Sequence, residues 1–106
     1  MTSDSRWIAE RELEFTENGS SVARTLVARI GTPEPDEGSW RCATLIEGAP
    51  TKSEVFYAYG EDSMQALLLA TQALAIRLQV VRRTGTLTWL GGDDLGLPQP
   101  QMPTGR

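Results

Sequence analysis

The chain has 106 residues, of which 40% are hydrophobic and 23% are charged, values that are ordinary for one globular domain. Its net charge of −4 gives no electrostatic case for binding nucleic acid or an anionic membrane surface. The single cysteine excludes an internal disulfide, and the lack of histidine excludes Ser-His and Cys-His nucleophiles as well as zinc sites that use histidine.

The sequence predicts neither a targeting segment nor a membrane span. Residues 1–12 lack the basic and apolar regions of a signal peptide, and no stretch reaches the roughly 18 to 20 apolar residues that a membrane-spanning helix needs. A cytoplasmic protein is the simplest interpretation. We expect a flexible N-terminus at residues 1–6, a single α+β domain at residues 7–90 and an extended, proline-rich C-terminal tail at residues 91–106.

The first part of the domain has the patterns of β-strands. Apolar and polar residues alternate over Trp7–Phe15, which predicts a strand with one face in water. Asn18-Gly19 then predicts a hairpin turn, and a second strand follows at Val22–Ile30. The segment Gly31–Gly38 contains two prolines and three acidic residues and is predicted to be a loop.

Two further strands are predicted at Ser39–Glu47 and Glu54–Tyr59. The second of them is dense in aromatic and β-branched residues, which favour strands. Which face it buries stays open at this point. Two sets of side chains compete for the core: Val55, Tyr57 and Tyr59 on one face, and Phe56 and Ala58 on the other.

After Gly60 the apolar period changes from that of a strand to that of a helix. Apolar residues recur at spacings of three and four, which predicts a helix over Ser63–Arg83 with one buried stripe. The stripe comprises Leu67, Ala70, Leu74, Leu78 and Val81, widened by Ala66, Leu69, Ala73 and Val80. Gly85 is predicted to stop the helix, and Thr86–Leu90 to form a last short strand.

The element order ββββαβ predicts a two-layer α+β fold, an antiparallel sheet of four to five strands with one long helix on one face. A right-handed crossover would set the last strand beside the first, at the opposite edge from the fourth. One sheet face then packs against the helix. The other face has no cover that the sequence reveals.

The helix start, GEDSM at residues 60–64, resembles the Gly-x-Asp-Ser-Leu motif of acyl and peptidyl carrier proteins, whose serine carries phosphopantetheine. That resemblance implies Ser63 as the attachment site, but carrier proteins are helical bundles and strands precede Ser63 here. A helix cap explains the same residues. Asp62 is expected to accept from the Gln65 backbone N–H, and the Gln65 side chain to reach back to the Asp62 N–H.

Other polar residues favour structural roles over chemistry. Cys42 on its strand is interpreted as a small buried hydrophobe, and Glu10, Glu12 and Glu14 as a solvated face with Arg29 and Arg41 as cross-strand partners. The loop acids lack metal-site spacing: Glu34, Asp36, Glu37, Asp93 and Asp94. Arg77 lies beside the apolar helix stripe and needs a partner or a route to water. No catalytic, cofactor-binding or metal-binding residue is predicted.

The open sheet face is the predicted interaction surface. Side chains that face away from the helix include Tyr57, Tyr59, Val27 and Leu45, and an apolar patch of this kind often marks an interface. We therefore expect a non-catalytic interaction or regulatory module that docks an unknown protein partner or self-associates. The alternative is a small-molecule binder or a small enzyme without histidine chemistry, which would need converging groups such as Arg77 with Asp93 or Asp94. A phosphopantetheine carrier acting through Ser63 is a more distant alternative.

Motifs spread over most of the chain also resemble a small bacterial family of uncharacterised proteins, a domain of unknown function. The residues that carry the resemblance are Glu10–Phe15, Ile30-Gly-x-Pro33, Trp40-x-Cys42, Ile46-x-Gly48, Gly60-x-Asp-Ser-x-Gln-Ala-Leu67, Leu87-x-Trp89 and Leu95-Gly96. This resemblance supports the expected fold. It implies no catalytic residues and no mechanism.

Overall fold

The computed structural model of the protein describes residues 6–48 and 53–98. In these residues the strands are β1 (Trp7–Glu17), β2 (Ala23–Gly31), β3 (Glu34–Asp36), β4 (Ser39–Glu47), β5 (Val55–Gly60) and β6 (Gly85–Thr88). One long helix, α1 (Ser63–Val81), follows β5 and continues into a 3₁₀ turn at Arg82–Thr84. The predicted α+β fold, an antiparallel sheet with one helix packed on it, is confirmed.

All strand pairs in the sheet are antiparallel. β1 pairs with β2 and with β6, and β4 pairs with β2, β3 and β5. Trp40 and Arg41 of β4 pair with both β3 and β5, so these two strands lie on opposite edges of β4. The order across the sheet is therefore β6-β1-β2-β4-β5. β3 pairs with the same edge of β4 as β2 does, but farther along that strand. As predicted, the last strand lies beside the first.

The loop predicted at residues 31–38 contains a strand that the sequence did not indicate. β3 pairs with β4 across the turn at Glu37 and Gly38, whose φ angles are 50° and 87°. Two consecutive residues with positive φ are the requirement of a tight type I′ hairpin turn. The two prolines hid this strand, because proline lacks an N–H for the ladder and is tolerated only at a sheet edge or a strand start.

The helix and the last strand differ slightly from their predicted bounds. α1 ends at Val81, two residues before the predicted end, because the next three residues tighten into the 3₁₀ turn. Gly85 does not stop the helix in a left-handed conformation. Its φ of 177° is extended backbone, and it is the first residue of β6.

The core lies between α1 and one face of the sheet. Its larger cluster joins β1, β2, β4, β6 and α1 through Leu13, Phe15, Leu26, Ala28, Ile46, Leu74, Leu78, Leu87 and Leu95. A smaller cluster of Cys42, Ala66 and Ala70 lets α1 approach the sheet closely. A Cβ at Gly60 would stand only 2.5 Å from the Ala66 backbone nitrogen, so the first turns of α1 rest directly on the end of β5.

The core extends beyond Leu90, where the sequence analysis ended the domain. Leu95 is 5% exposed and belongs to the main cluster, and Leu97 packs against it. Arg11 Nη1 donates to the Leu95 and Gly96 carbonyls at 2.9 Å and 3.0 Å, and Arg82 Nη2 donates to the Asp93 carbonyl. Residues 93–97 are thus held on the domain. Residues 1–5 and 99–106, which complete the two predicted termini, lie outside the described residues.

Candidate interaction surface

The structure answers the question of which face β5 buries. Ala58 packs with the cluster around Ala66 and Ala70, and Phe56 lies beneath the Arg77 guanidinium, 3.9 Å from the ring centroid. Both side chains are therefore on the helix side. Strand alternation then places Val55, Tyr57 and Tyr59 on the open face.

A charged network occupies the open face on the β1, β2 and β4 side. Arg29 lies between two carboxylates, with its Nε 3.0 Å from Glu10 Oε1 and its Nη1 bonded to Glu47 Oε1. Val27 pairs directly with Glu12 and Glu47, so this predicted interface residue is flanked by acids. Glu10 is the partner of Arg29, as the sequence analysis expected.

The apolar part of the open face is displaced toward β5. Leu45 pairs with Val55, and Ala43 pairs with Tyr57. Arg41 spreads over the Tyr57 ring at 4.4 Å, and its Nε donates to Glu34 Oε1 at 2.8 Å. That hydrogen bond and charge raise the pKa of Arg41. Its carboxylate partner comes from β3, not from the glutamates of β1 that were predicted.

The β5 side of the domain exposes apolar residues on both the strand and the helix. Val55, Phe56, Tyr57 and Tyr59 are between 37% and 53% exposed. On α1, an apolar row of Leu69, Ala73, Ile76 and Val80, here named the α1 stripe, follows spacings of four, three and four. Three of its members are 38% to 50% exposed. Sequence reasoning assigned Leu69, Ala73 and Val80 to the buried side and so missed this surface.

The signal that could have revealed the α1 stripe is the breadth of apolar residues around the helix. A helix that is apolar nearly all round needs neighbours on more than one side, whereas one sheet face covers only one. By length and composition alone, Ser63–Thr84 meets the criteria for a candidate membrane span, with a mean hydropathy of 1.4 over 18 residues; the core helix of a soluble protein meets the same criteria. Of that window 28% is buried, which agrees with the exposure of Leu69, Ile76 and Val80.

At the start of α1, the polar residues cap the helix. Asp62 accepts from the Gln65 backbone N–H at 2.8 Å. The Gln65 side chain accepts from the Glu61 N–H at 2.6 Å, one residue before the amide that the sequence analysis assigned to it. Ser63 is exposed and is the first residue of α1. The elements that precede it in the chain are the strands of a sheet, whereas the carrier resemblance implies a helical bundle.

Arg77 is held between the helix and β5. Its Nη1 donates to the Thr44 hydroxyl at 3.0 Å, and that buried hydroxyl in turn donates to the Phe56 carbonyl at 3.4 Å. Burial lowers the pKa of Arg77, an effect that the charge of Glu54 opposes. Its recorded partners are Thr44 and Phe56, not the Asp93 or Asp94 that the small-molecule alternative invoked.

A groove between α1 and the C-terminal segment brings an arginine together with Asp93 and Asp94, the combination that the small-molecule alternative expected around Arg77. It has a volume of about 420 Å³ and is lined by Ala75, Gln79, Arg82, Asp93, Asp94, Leu95 and Leu97. Arg82 replaces Arg77 there, but its Nη2 donates to the Leu87 and Asp93 carbonyls. Asp94 accepts from the Gly96 N–H at 2.9 Å. These bonds hold the segment in place through Arg82 Nη2 and Asp94 Oδ1.

The positions of the Cys42 thiol and of the acidic side chains indicate structural roles. Cys42 is fully buried, its Sγ donates to the Gly31 carbonyl at 3.3 Å, and burial raises its pKa; the prediction of a buried cysteine is confirmed. Within residues 6–48 and 53–98, no three histidine, cysteine or acidic side chains are grouped as metal ligands.

Comparison with protein families gives one match, to the model described as DUF6968, a domain of unknown function, over residues 9–99. The chain belongs to the DUF6968 family. The expected resemblance to a domain of unknown function is thereby confirmed. The match continues past Leu90 and includes the docked segment at residues 93–97. Searches of curated proteins and of solved structures gave no match.

Proposed function

We propose that this DUF6968 domain is a non-catalytic protein-interaction module of the cytoplasm, and that it docks its partner on the β5 side. The observation that carries the proposal is the set of exposed apolar side chains along β5 and α1: Tyr57 and Tyr59 on the open face of the sheet, and Phe56 with the α1 stripe on the helix side. Exposed apolar surface of this kind often marks protein–protein contact, and tyrosine is enriched at interfaces.

Other features support binding over catalysis. The Cys42 thiol is buried, and the Arg11 and Arg82 guanidiniums are bonded to backbone carbonyls. Arg29 and Arg41 are paired with carboxylates on the sheet. These polar side chains stabilise the domain and frame its apolar surface.

Photo-crosslinking in living cells tests the proposal. A benzophenone amino acid in place of Tyr59 is expected to give a product of one defined mass, because the partner covers that ring. Leu90 is 86% exposed and lies away from β5, so the same substitution there is the matched control. Products of equal yield at both positions, or none at Tyr59, would contradict an interaction surface on this side.

The groove beside Arg82 favours a second candidate function, small-molecule binding. Its volume of about 420 Å³ is within the usual range of ligand pockets. In that case a ligand would raise the thermal midpoint of the native protein, and Gln79→Ala would remove the shift. Stabilisation that survives Gln79→Ala would place the ligand elsewhere.

A further inference from the structure

We propose that the partner is a second copy of this chain, joined at β5 so that two sheets form one continuous antiparallel sheet and two α1 helices pack side by side. The inference rests on the proposed function, since it names the occupant of that same surface. A twofold axis near the middle of β5 would relate the copies, which is the commonest symmetry of protein dimers.

β5 is the sheet edge that lacks the usual protection. Natural edge strands avoid pairing through charged residues, proline, bulges or short length. β3 carries Glu34, Pro35 and Asp36, and β6 has only four residues. By contrast, Val55–Tyr59 contains no charge and no proline, and in the described part of the chain β5 pairs with β4 alone. Its outer backbone groups are thus free to pair with a second β5.

The helix runs along β5, so strand pairing would also bring the helices together. Ala66 lies against Gly60 at the end of the strand, and Arg77 covers Phe56 near its beginning. α1 is therefore antiparallel to β5. The middle of the α1 stripe, between Ala73 and Ile76, lies above the middle of the strand, near Tyr57.

The α1 stripe faces outward past the β5 edge. On the other flank of the helix, Ala75 and Gln79 face the C-terminal segment at Leu95 and Leu97. The stripe is on the flank away from that segment. Its spacing of four, three and four is that of a seam between two packed helices. In an antiparallel pair Leu69 would meet Val80 of the copy, and Ala73 would meet Ile76.

The spacing of the elements fits this arrangement. Neighbouring strands are about 4.8 Å apart, and α1 packs on β4 and β5, so each helix axis would stand about 5 Å from the twofold axis. The two axes would then be about 10 Å apart, at the upper end of the usual distance between packed helices.

Charge and area also favour a second copy. Glu61 and Asp62 precede α1, whereas Arg82 and Arg83 follow it. Antiparallel pairing in this register would bring the exposed Arg83 level with Ala66 of the copy, so that its long side chain extends toward Glu61 at the start of the copy's helix. The exposed apolar side chains of Phe56 and of the α1 stripe give each copy apolar area to bury against the other.

The test is the mass of the full chain in solution, measured by sedimentation and by native mass spectrometry at micromolar concentrations. The native protein is expected to be a dimer. Ile76→Glu in the stripe should raise the dissociation constant about tenfold or more, because it buries two charges near the twofold axis. Leu68→Glu, on the same helix but outside the stripe, should leave it unchanged. Circular dichroism checks that both variants are folded.

A charge exchange tests the orientation. Arg83→Glu should weaken the dimer by placing two acids together, and adding Glu61→Arg should restore it. A native protein that is monomeric throughout would overturn this inference, as would a dimer insensitive to Ile76→Glu. If a monomeric protein still gave a crosslink from Tyr59 to a different protein, the proposed function would survive without self-association. If the native protein is monomeric and Tyr59 gives no crosslink, both the dimer and the proposed function are wrong.

Discussion

Gly85 lies where β6 and β1 approach each other closely. Its backbone is extended, so any residue could adopt its conformation. A Cβ there would, however, stand 2.4 Å from the Thr16 carbonyl oxygen and 2.7 Å from the Phe15 ring. Space, not backbone freedom, therefore excludes a side chain at the start of β6.

Gly85→Ala is expected to lower the free energy of unfolding by about 1–3 kcal/mol, the usual cost of forcing extra volume into a packed site. Gly92→Ala is the matched control, because the nearest atom to its added Cβ would be 3.8 Å away. Urea denaturation measures both. Equal effects of the two substitutions would show that contact with Phe15 and Thr16 does not restrict position 85.

Cys42 makes stability depend on pH in the alkaline range. Burial raises its pKa above the ordinary value of 9.0, so the thiol loses its proton in the unfolded chain first. The stabilising contribution is complete below the unfolded pKa and is lost as pH rises through the folded pKa. The advantage of the native protein over Cys42→Ala in unfolding free energy should therefore shrink above pH 9.0. A constant difference across that range would contradict the effect.

Among the elements, the C-terminal segment is a structural part of the domain. Leu95 enters the core, while Arg11 stacks 3.9 Å from the centroid of Trp89 and bonds the segment's carbonyls. Gly96 fits between them, because a Cβ there would lie 2.3 Å from the Trp89 ring. The segment thus closes the side of the core that α1 leaves open.

Leu95→Ala is expected to lower the unfolding free energy by about 2–4 kcal/mol, as for other buried leucines. Leu90→Ala, five positions earlier at a residue that is 86% exposed, should change it by less than about 0.5 kcal/mol. Chemical denaturation of both variants checks the difference. Similar small losses would mean that the segment contributes little to the core.

The strand order could be predicted because alternation, the Asn18-Gly19 turn and the change of period after Gly60 are all local signals. β3 could not, because its pairing depends on a left-handed Glu37, which side-chain patterns do not reveal. The docked segment was missed for a related reason. Its one core residue, Leu95, follows glycines and aspartates that resemble a loop, and its other anchor is Arg11, distant in sequence.

The proposed interaction surface could be predicted only in part. Val27 and Leu45 followed from strand alternation, whereas alternation alone left the face of Tyr57 and Tyr59 open. The structure places all four on the open face. The α1 stripe did not follow, because periodicity shows which positions of a helix are apolar but not how many neighbours the helix has. The use of Val27 and Leu45 in binding stays a prediction.

At the scale of the whole molecule, the domain is a sheet covered on one face by a single helix and the docked segment. Charged side chains cross the open face around Arg29, and apolar ones gather beside β5. Among the described residues, β1, β2 and β4 form the middle of the sheet, and β5 is an edge whose outer side no described strand covers. A second copy on that side would protect both the strand edge and the helix flank at once.

The pairing of β6 with β1 fixes when this molecule can fold during its synthesis. Leu87 lies opposite Phe15. The core around β1 is therefore complete only after residues near the other end of the domain have been synthesised. Because α1 precedes β6 in the chain, its apolar residues emerge from the ribosome before β6 can cover the edge of β1. A nascent chain that lacks residues 85–95 has an open first edge and an incomplete core.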